Sequence, residues 1–366
     1  MSISAPEWLL QKRFLPGGAL IVALGRDASV WSGSARDSDR RVIAEDSNPV
    51  SLDVWSAERG LRHIDWLAAH QNGGAMTLLE GAATLLRLRR VDFVQFDQEE
   101  AGADIAALYA LLQRNGYSMF RFANRNLEFR REPPQDTTPA THLAVAPRHW
   151  KRLFTQDRSM FHYAELFPRH GVVPRGVVHV GAHEGEEYEG YVEAGCRRVL
   201  FIEADPDTFA RLTPRFADNS DVTCVNLAVS DVNGRASFSR MSGSQSSSLL
   251  RPKRHLDLYP HITLSETIEV ETATLPTILA ERGLDSADYN ILAMDTQGAE
   301  RLILAGCGDL LARFDAVATE VNYAELYEGC GLIGDLDDLL FPHGFERVEE
   351  TSPHHHSWGD AFYVRR

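Results

Sequence analysis

Gly176-Val-Val-His-Val-Gly-Ala-His-Glu-Gly185 and Phe201-Ile-Glu-Ala-Asp-Pro206 decide how this chain folds. The first stretch reads as an apolar strand, Val177 to Val180, running into a glycine-rich turn, with a helix beginning near Glu186. Glycines there let the backbone pass close to a bound ligand, which a side chain would obstruct. In the second, a strand from Arg198 to Ile202 ends in Glu203, eighteen residues past Gly185. An acid at a strand tip is placed to accept two hydrogen bonds from the vicinal hydroxyls of a ribose. Together the two stretches imply a ligand that carries adenosine.

Outward from them, compact apolar runs alternate with helical patterns. Further strands are expected at Val222 to Val229, Ile291 to Met294, Ala316 to Val321, Phe345 to Glu350 and Ala361 to Val364. Helices are expected at Glu186 to Ala194, Pro206 to Asp218, Thr274 to Arg282 and Gly298 to Ala305, with another from Arg148 to His170. Such alternation indicates a parallel sheet covered on both faces. Residues 131–147 carry four prolines and three threonines without hydrophobic period and read as a linker. The expected domains are therefore 1–130, 131–147 as the connection, and 148–366.

The chain also matches itself. Leu52 to Phe122 can be laid on Leu275 to Val348: Ala57-Glu-Arg-Gly-Leu61 repeats as Ala280-Glu-Arg-Gly-Leu284, and Asp65-Trp66 answers Asp288-Tyr289. Gly74-Ala75 answers Gly298-Ala299, Asp92 and Val94 answer Asp315 and Val317, and Gly116-Tyr117 answers Gly344-Phe345. Shared order over this length points to a diverged duplication. The N-terminal copy is read as the later half of the fold only, without a glycine-rich loop, so it should bind no nucleotide.

Composition excludes other classes. The 366 residues are 44% hydrophobic and 24% charged, which fits neither a disordered nor a disulfide-stapled chain. A net charge of −15 disfavours nucleic-acid partners. Cys196, Cys224, Cys307 and Cys330 are too scattered for a CxxC site and read as free thiols. No run approaches the ~20 apolar residues of a membrane span, and a cytoplasmic location is expected.

Two cofactors suit a glycine turn with a strand-end acid: NAD and S-adenosylmethionine. A dinucleotide site wants GxGxxG, whereas this loop is GxxxG, and Glu184, Glu186 and Glu187 would repel a diphosphate but tolerate a sulfonium. S-adenosylmethionine is favoured.

The stretch from Val177 to Arg366 resembles the FkbM family of S-adenosylmethionine-dependent methyltransferases. The blocks that carry the resemblance are VHVGAHEGEE (178–187), FIEADP (201–206), NLAVSDVNG (226–234), SGSQSSSLL (242–250), MDTQGAE (294–300), TEVN (319–322) and GDAFYV (359–364). His183 stands where asparagine is usual, and Gln297 where glutamate is frequent. The resemblance implies an α/β fold of the class I Rossmann-like kind, with a mostly parallel seven-stranded sheet, preceded by a smaller partial α/β domain. It implies that Gly181, Ala182, His183, Gly185, Glu203 and Ala204 line the cofactor, with Asn226, Ala228 and Ser230 near its adenine. In the N-terminal copy Gln71 or a neighbour replaces Asp295 and Met76 replaces Glu300, so that copy is expected to be catalytically dead.

Asp295, at the end of the fourth strand, is the leading active-site carboxylate, as a base or as an anchor for the cofactor's amine. Glu320 and Asn322 end the next strand and would face the same crevice. These three could hold a divalent metal through hard oxygen ligands, but a metal-free site is preferred. His255 and His261 are candidate bases because imidazole titrates near neutrality. The run His354 to His356 is read as a substrate-facing turn rather than a metal site, and Ser242 to Ser248 as a lid or a surface loop. The expected reaction is O-methylation of a hydroxyl on a sugar, glycan or secondary metabolite, yielding S-adenosylhomocysteine. The alternatives are a scaffold with a vestigial domain and a nicotinamide-linked dehydrogenase. The N-terminal domain is expected to serve self-association into a homo-oligomer or to shape the acceptor site.

Overall fold

The structure, a computed structural model, describes residues 14–15, 18–25, 41–45, 49–70, 74–98, 105–123, 126–135 and 139–366. The chain divides into two units, Met1–Gln156 and Asp157–Arg366. The N-terminal unit is built on β1 (Leu20–Gly25), β2 (Arg41–Glu45), β3 (Ile64–His70), β4 (Val91–Asp97), β5 (Ser118–Ala123), β6 (Asn126–Arg130) and β7 (Thr141–Val145), in the order β2-β1-β3-β4-β7-β5-β6. The first four strands are parallel, and β7 inserts antiparallel between β4 and β5.

Two expectations are thereby corrected. The copy is more than a later half, because β1 and β2 supply front strands. The expected linker contains an interior strand, and the unit runs past residue 130 to Gln156. Thr141–Val145 is buried on both faces and so shows no alternation, while the prolines flank it without interrupting it.

The C-terminal unit holds β8 (Gly176–Val180), β9 (Arg198–Glu203), β10 (Val222–Asn226), β11 (Ala228–Val229), β12 (Gly234–Met241), β13 (Leu264–Ala273), β14 (Ile291–Met294), β15 (Ala316–Asn322), β16 (Phe345–Thr351) and β17 (Trp358–Arg365). Its main sheet runs β10-β9-β8-β14-β15-β17-β16, parallel except for β17. This is the 3-2-1-4-5-7-6 order of a class I methyltransferase. The smaller sheet, β11-β13-β12, was not foreseen, since β12 and β13 are mostly exposed, polar and poor in apolar period.

Alternate residues feed two cores. Val178, Leu200, Leu292 and Val317 pack toward helices Leu275–Glu281, Glu300–Cys307 and Ile333–Leu340. Val177, Phe201, Ala293 and Ala318 pack with Phe167 of helix Tyr163–Arg169 and Tyr191 of helix Tyr188–Glu193. The single helix expected from Arg148 to His170 is two short ones, Trp150–Phe154 and Tyr163–Arg169. Between them Asp157 Oδ1 accepts from the Ser159 N–H and hydroxyl, a local turn that competes with helix. All four cysteines are free, and burial pushes the Cys196 and Cys307 thiols up to about 12. Among the described residues no helix is long and apolar enough to cross a membrane.

Strand ladders test the internal repeat. Asp92 precedes Phe93, which pairs with Val145; Asp315 precedes Ala316, which pairs with Val364. Val145 faces Ser118 as Val364 faces Glu346, so Tyr117 falls on Phe345, as the sequence match requires. The same ladders shift the Asp65-Trp66 match by two residues, because Trp66 pairs with Phe93 as Ile291 pairs with Ala316. Gln71 lies outside the described residues. The residue in the position of Asp295 is His70, which follows Ala69, paired with Phe96 as Met294 is with Thr319.

Candidate active site

At the C-terminal tips of β8, β9, β14 and β15 the second unit encloses a cavity of about 620 Å³. Ligands of open parallel sheets bind at such tips. Of the residues singled out in the sequence, Gly181, His183, Glu203, Ala204, Ala228, Asp295, Glu320 and His255 line it. Ala182, Gly185, Asn226, Ser230, His261 and Asn322 are not among its lining residues.

The two motif glycines answer to the protein itself. Gly181 has φ +80°, and a Cβ there would lie 1.9 Å from the Asp295 carbonyl oxygen. Gly185 has φ +75°, and its Cβ would come within 2.8 Å of the Phe216 ring. Gly185 is therefore a packing glycine, and Gly181 joins the tips of β8 and β14. Ala182 is buried in the adjoining core.

Glu203 is 7% exposed. Its Oε2 accepts the His183 N–H at 2.9 Å and its Oε1 the Asp205 N–H at 2.8 Å. A carboxylate oxygen has two lone pairs, so each keeps one for a ligand. Burial raises its pKa to about 7, against the pull of the two backbone donors. Asn226 acts one layer back, its Nδ2 donating to the Glu203 and Ala204 carbonyls at 2.8 and 3.2 Å. Leu227, Ala228, Val229 and Phe238 form an apolar wall beside Glu203.

His183 adopts φ +46° and ties two segments together. Its Nδ1 lies 2.6 Å from Glu186 Oε1, and its Nε2 2.8 Å from Ser244 Oγ. The serine-rich segment is also held by Ser248 Oγ donating to the Gln297 carbonyl and by Tyr327 OH donating to the Ser246 carbonyl. Ser244 to Ser247 thus form a bonded wall of the cavity.

Gln297, which the sequence offered only as a motif variant, organises the other half. At φ +56° its Nε2 donates to Asp295 Oδ1 and to Glu320 Oε2, both at 2.7 Å, while its Oε1 accepts from Tyr327 OH at 3.1 Å. An amide therefore occupies the place between the carboxylates that a bridging metal would need. Asn322 is fully buried with its amide unpartnered, away from the cavity wall, so the Asp295–Glu320–Asn322 metal set does not assemble.

Glu300 accepts from the Thr296 N–H and hydroxyl, fixing the turn that precedes its helix; burial and then the Asp295 charge raise it to about 7. Burial, then the charges of Asp295, Glu300 and Asp360, hold Glu320 well above the usual carboxylate range. Burial and Asp295 do the same for Asp360, which faces Glu320 across the β15–β17 ladder.

His255 is 4% exposed, and its Nδ1 has no hydrogen-bond partner. Burial, then His261, lowers its pKa, so the ring is neutral near pH 7. Of the three consecutive histidines only His354 lines the cavity, stacked on Trp358 at 5.6 Å. Trp358 was not singled out in the sequence; nothing in its local pattern distinguishes it from a core aromatic.

One grouping in the N-terminal unit has metal-ligand spacing, His63, Asp65 and Asp92. Arg148 already binds both Asp92 oxygens, at 2.9 and 2.5 Å, and His149 sits 3.0 Å away. Although burial opposes it, Arg148 and His149 hold Asp92 well below the usual carboxylate range. Asp92 is thus the centre of an ion network with Arg148, His149 and His63.

Sheet order and strand-tip cavity define the C-terminal unit as a class I methyltransferase domain. The profile of the family described as "Methyltransferase FkbM domain" matches residues 179–347. The 2-O-methyltransferase NoeI of Sinorhizobium fredii is 31% identical over 186 residues, 46% of this chain and 76% of that protein. The 31-O-demethyl-FK506 methyltransferase FkbM of Streptomyces tacrolimicus is 35% identical over 88 residues, 24% of this chain and 32% of that one. A crystal structure of a methyltransferase FkbM from Methylobacillus flagellatus aligns over 99% of this chain and 94% of its own, at 13% identity and a TM-score of 0.40. The chain belongs to the FkbM methyltransferase family.

Proposed function

We propose that the C-terminal unit transfers a methyl group from S-adenosylmethionine to a hydroxyl oxygen of a small molecule or glycan. The observation that carries this reading is that Glu203, Asp295, Glu320 and His255 reach one cavity from separate elements. Glu203, already held by two backbone donors, would accept the ribose hydroxyls; Ala204, Leu227, Ala228, Val229 and Phe238 would enclose the adenine. Bound there, the donor supplies an electrophilic methyl on a positively charged sulfur and leaves as S-adenosylhomocysteine. Asp295, exposed where β14 ends beside Gly181, serves as amine anchor or as base. His255, neutral and unpartnered at Nδ1, can take the acceptor's proton, as can Glu320 when ionised. The residues do not fit a bridging divalent metal, because Gln297 fills that place. O-methylation is supported by the two relatives, whose names both specify an O-linked methyl. The N-terminal unit we assign to self-association or to shaping the acceptor site.

Calorimetry of the full chain with S-adenosylmethionine, followed by acceptor-dependent release of S-adenosylhomocysteine, tests the reading. A chain that binds the donor no better than adenosine is a vestigial scaffold, and the proposal is then wrong.

A further inference from the structure

The cavity's charge narrows the acceptor further. Five carboxylates line it, Glu186, Glu187, Glu203, Asp295 and Glu320, and among the described residues no lysine or arginine does. Of the cations near it, Arg240 is bound to Asp205 and Glu266 and Lys253 to Glu325, while Arg251 and Arg254, exposed beside His255, are not among the lining residues. Behind the wall stand more acids, Glu300 under Asp295 and Asp360 across the ladder from Glu320. Like charges this close share protons, but a carboxyl supplies no positive charge in either state. The lining imidazoles do not reverse the balance, since His183 is bound to Glu186, His255 is neutral and His354 stacks on Trp358.

A second observation concerns the unpaired polar atom. Among the described residues, His255 Nδ1 is the one buried side-chain nitrogen or oxygen of the cavity wall that lacks a hydrogen-bond partner. A neutral imidazole nitrogen suits an alcohol, which can donate or accept, and gives an anion no charge to meet. Around it Tyr259, Ile262, Leu326 and Trp358 are apolar or aromatic surfaces.

We propose that the acceptor half of the cavity excludes anions: the alcohol it takes is uncharged or cationic at the end that enters, and a phosphate or carboxylate there bars it. The proposal rests on the methyltransferase reading above and deepens it. Its determinant is the charge of the wall, so it obeys electrostatics: added salt screens it, and removing a lining carboxylate relaxes it.

The test uses the full chain at pH 8 with S-adenosylmethionine and matched probes: methyl pyranosides of the gluco, galacto and manno series, their uronates and their 6-phosphates. Release of S-adenosylhomocysteine is measured, and calorimetric binding to the S-adenosylhomocysteine complex for probes that do not turn over. The neutral member of at least one series should turn over or bind at least tenfold better than both anionic counterparts. That ratio should shrink severalfold on going from 50 to 500 mM salt and in Glu187→Gln, whose fold is checked by its melting curve. An anionic member that performs as well as its neutral partner overturns the proposal, as does the failure of every neutral probe, or a ratio indifferent to both salt and Glu187→Gln. Absence of donor binding in the same calorimetry instead removes the methyltransferase reading, so the two failures are distinct.

Discussion

Ladder register superposes the two units strand by strand, and the strand tips then differ in kind. Where the C-terminal unit carries Asp295, Glu320 and Asp360, the N-terminal unit carries His70, Asp97 and Thr141. There the buried acid pair becomes a hydrogen bond, Thr141 Oγ1 donating to Asp97 Oδ1 at 2.6 Å. At the opposite strand ends the contrast reverses. Asp92 and Arg148 are 2% and 1% exposed, whereas Asp315 and Arg365, at corresponding ends, are 37% and 35% exposed. One copy sets carboxylates, held by amide and imidazole groups, around a cavity; the other buries an aspartate–arginine pair inside its core. The same topology thus carries carboxylates to a cavity in one unit and closes the corresponding strand tip with a hydrogen bond in the other.

The largest effect that could break this contrast lies in the buried pair. Asp92→Ala removes the buried carboxylate that the Arg148 guanidinium binds through two nitrogens and should cost about 3–5 kcal/mol of N-terminal stability. Asp315→Ala removes a half-exposed partner and should cost no more than about 1 kcal/mol. Denaturant melts of the two variants compare them directly, and equal losses would mean that the units are not specialised as described.

Next comes Glu203. If, as proposed, Glu203 accepts both ribose hydroxyls, Glu203→Ala should weaken S-adenosylmethionine binding by at least about 100-fold, as charged hydrogen bonds are worth ~1.5–3 kcal/mol each. Asp97→Asn in the N-terminal unit should leave that affinity unchanged. Both are read by calorimetry.

Glu203 also sets a pH dependence. Its folded pKa, about 7, lies above the ordinary carboxylate value. Its contribution is therefore fully present below the unfolded pKa and is lost as pH rises through the folded one. Without ligand, the protein should melt at lower temperature at pH 8 than at pH 5.5. Glu203→Gln should lessen that slope by its own share, the remainder belonging to the raised carboxyls Glu300, Glu320 and Asp360, while losing the donor. A Glu203→Gln slope equal to that of the unchanged chain would show that the Glu203 carboxylate is solvated.

Much of the site could be read from the sequence because strand tips announce themselves. The apolar runs ending in Gly181, Glu203 and Asp295 each stop where buried strand gives way to cavity, Glu320 lies two residues short of the end of β15, and each of the four lines the cavity. What escaped depends on tertiary geometry. Nothing local distinguishes a glycine facing a ligand from Gly185, pressed on Phe216, or shows that Gln297 turns left-handed to bridge two carboxylates. β7 escaped because burial on both faces erases alternation, and its flanking prolines mimic a linker. The Asp65-Trp66 match slid by two residues because similarity of residue type does not fix strand register.

The smallest effect sharpens the comparison at its point of closest identity. Gly60 and Gly283 end the repeated segments, just past helices Leu52–Glu58 and Leu275–Glu281, at φ +65° and +63°. Both N–H groups bond back to a helix carbonyl, Gly60 to Ala57 and Gly283 to Ala280, and a Cβ at either would meet nothing within 4 Å. With no clash to add, replacement by alanine should cost only the left-handed backbone penalty, roughly 1 kcal/mol at each. Two separate measurements should then agree within error, since the physics of the turn is the same wherever the copy sits. If Gly283→Ala proves several-fold more costly than Gly60→Ala, the excess comes from something beyond the turn, and the duplicated segments have diverged even where their residues have not.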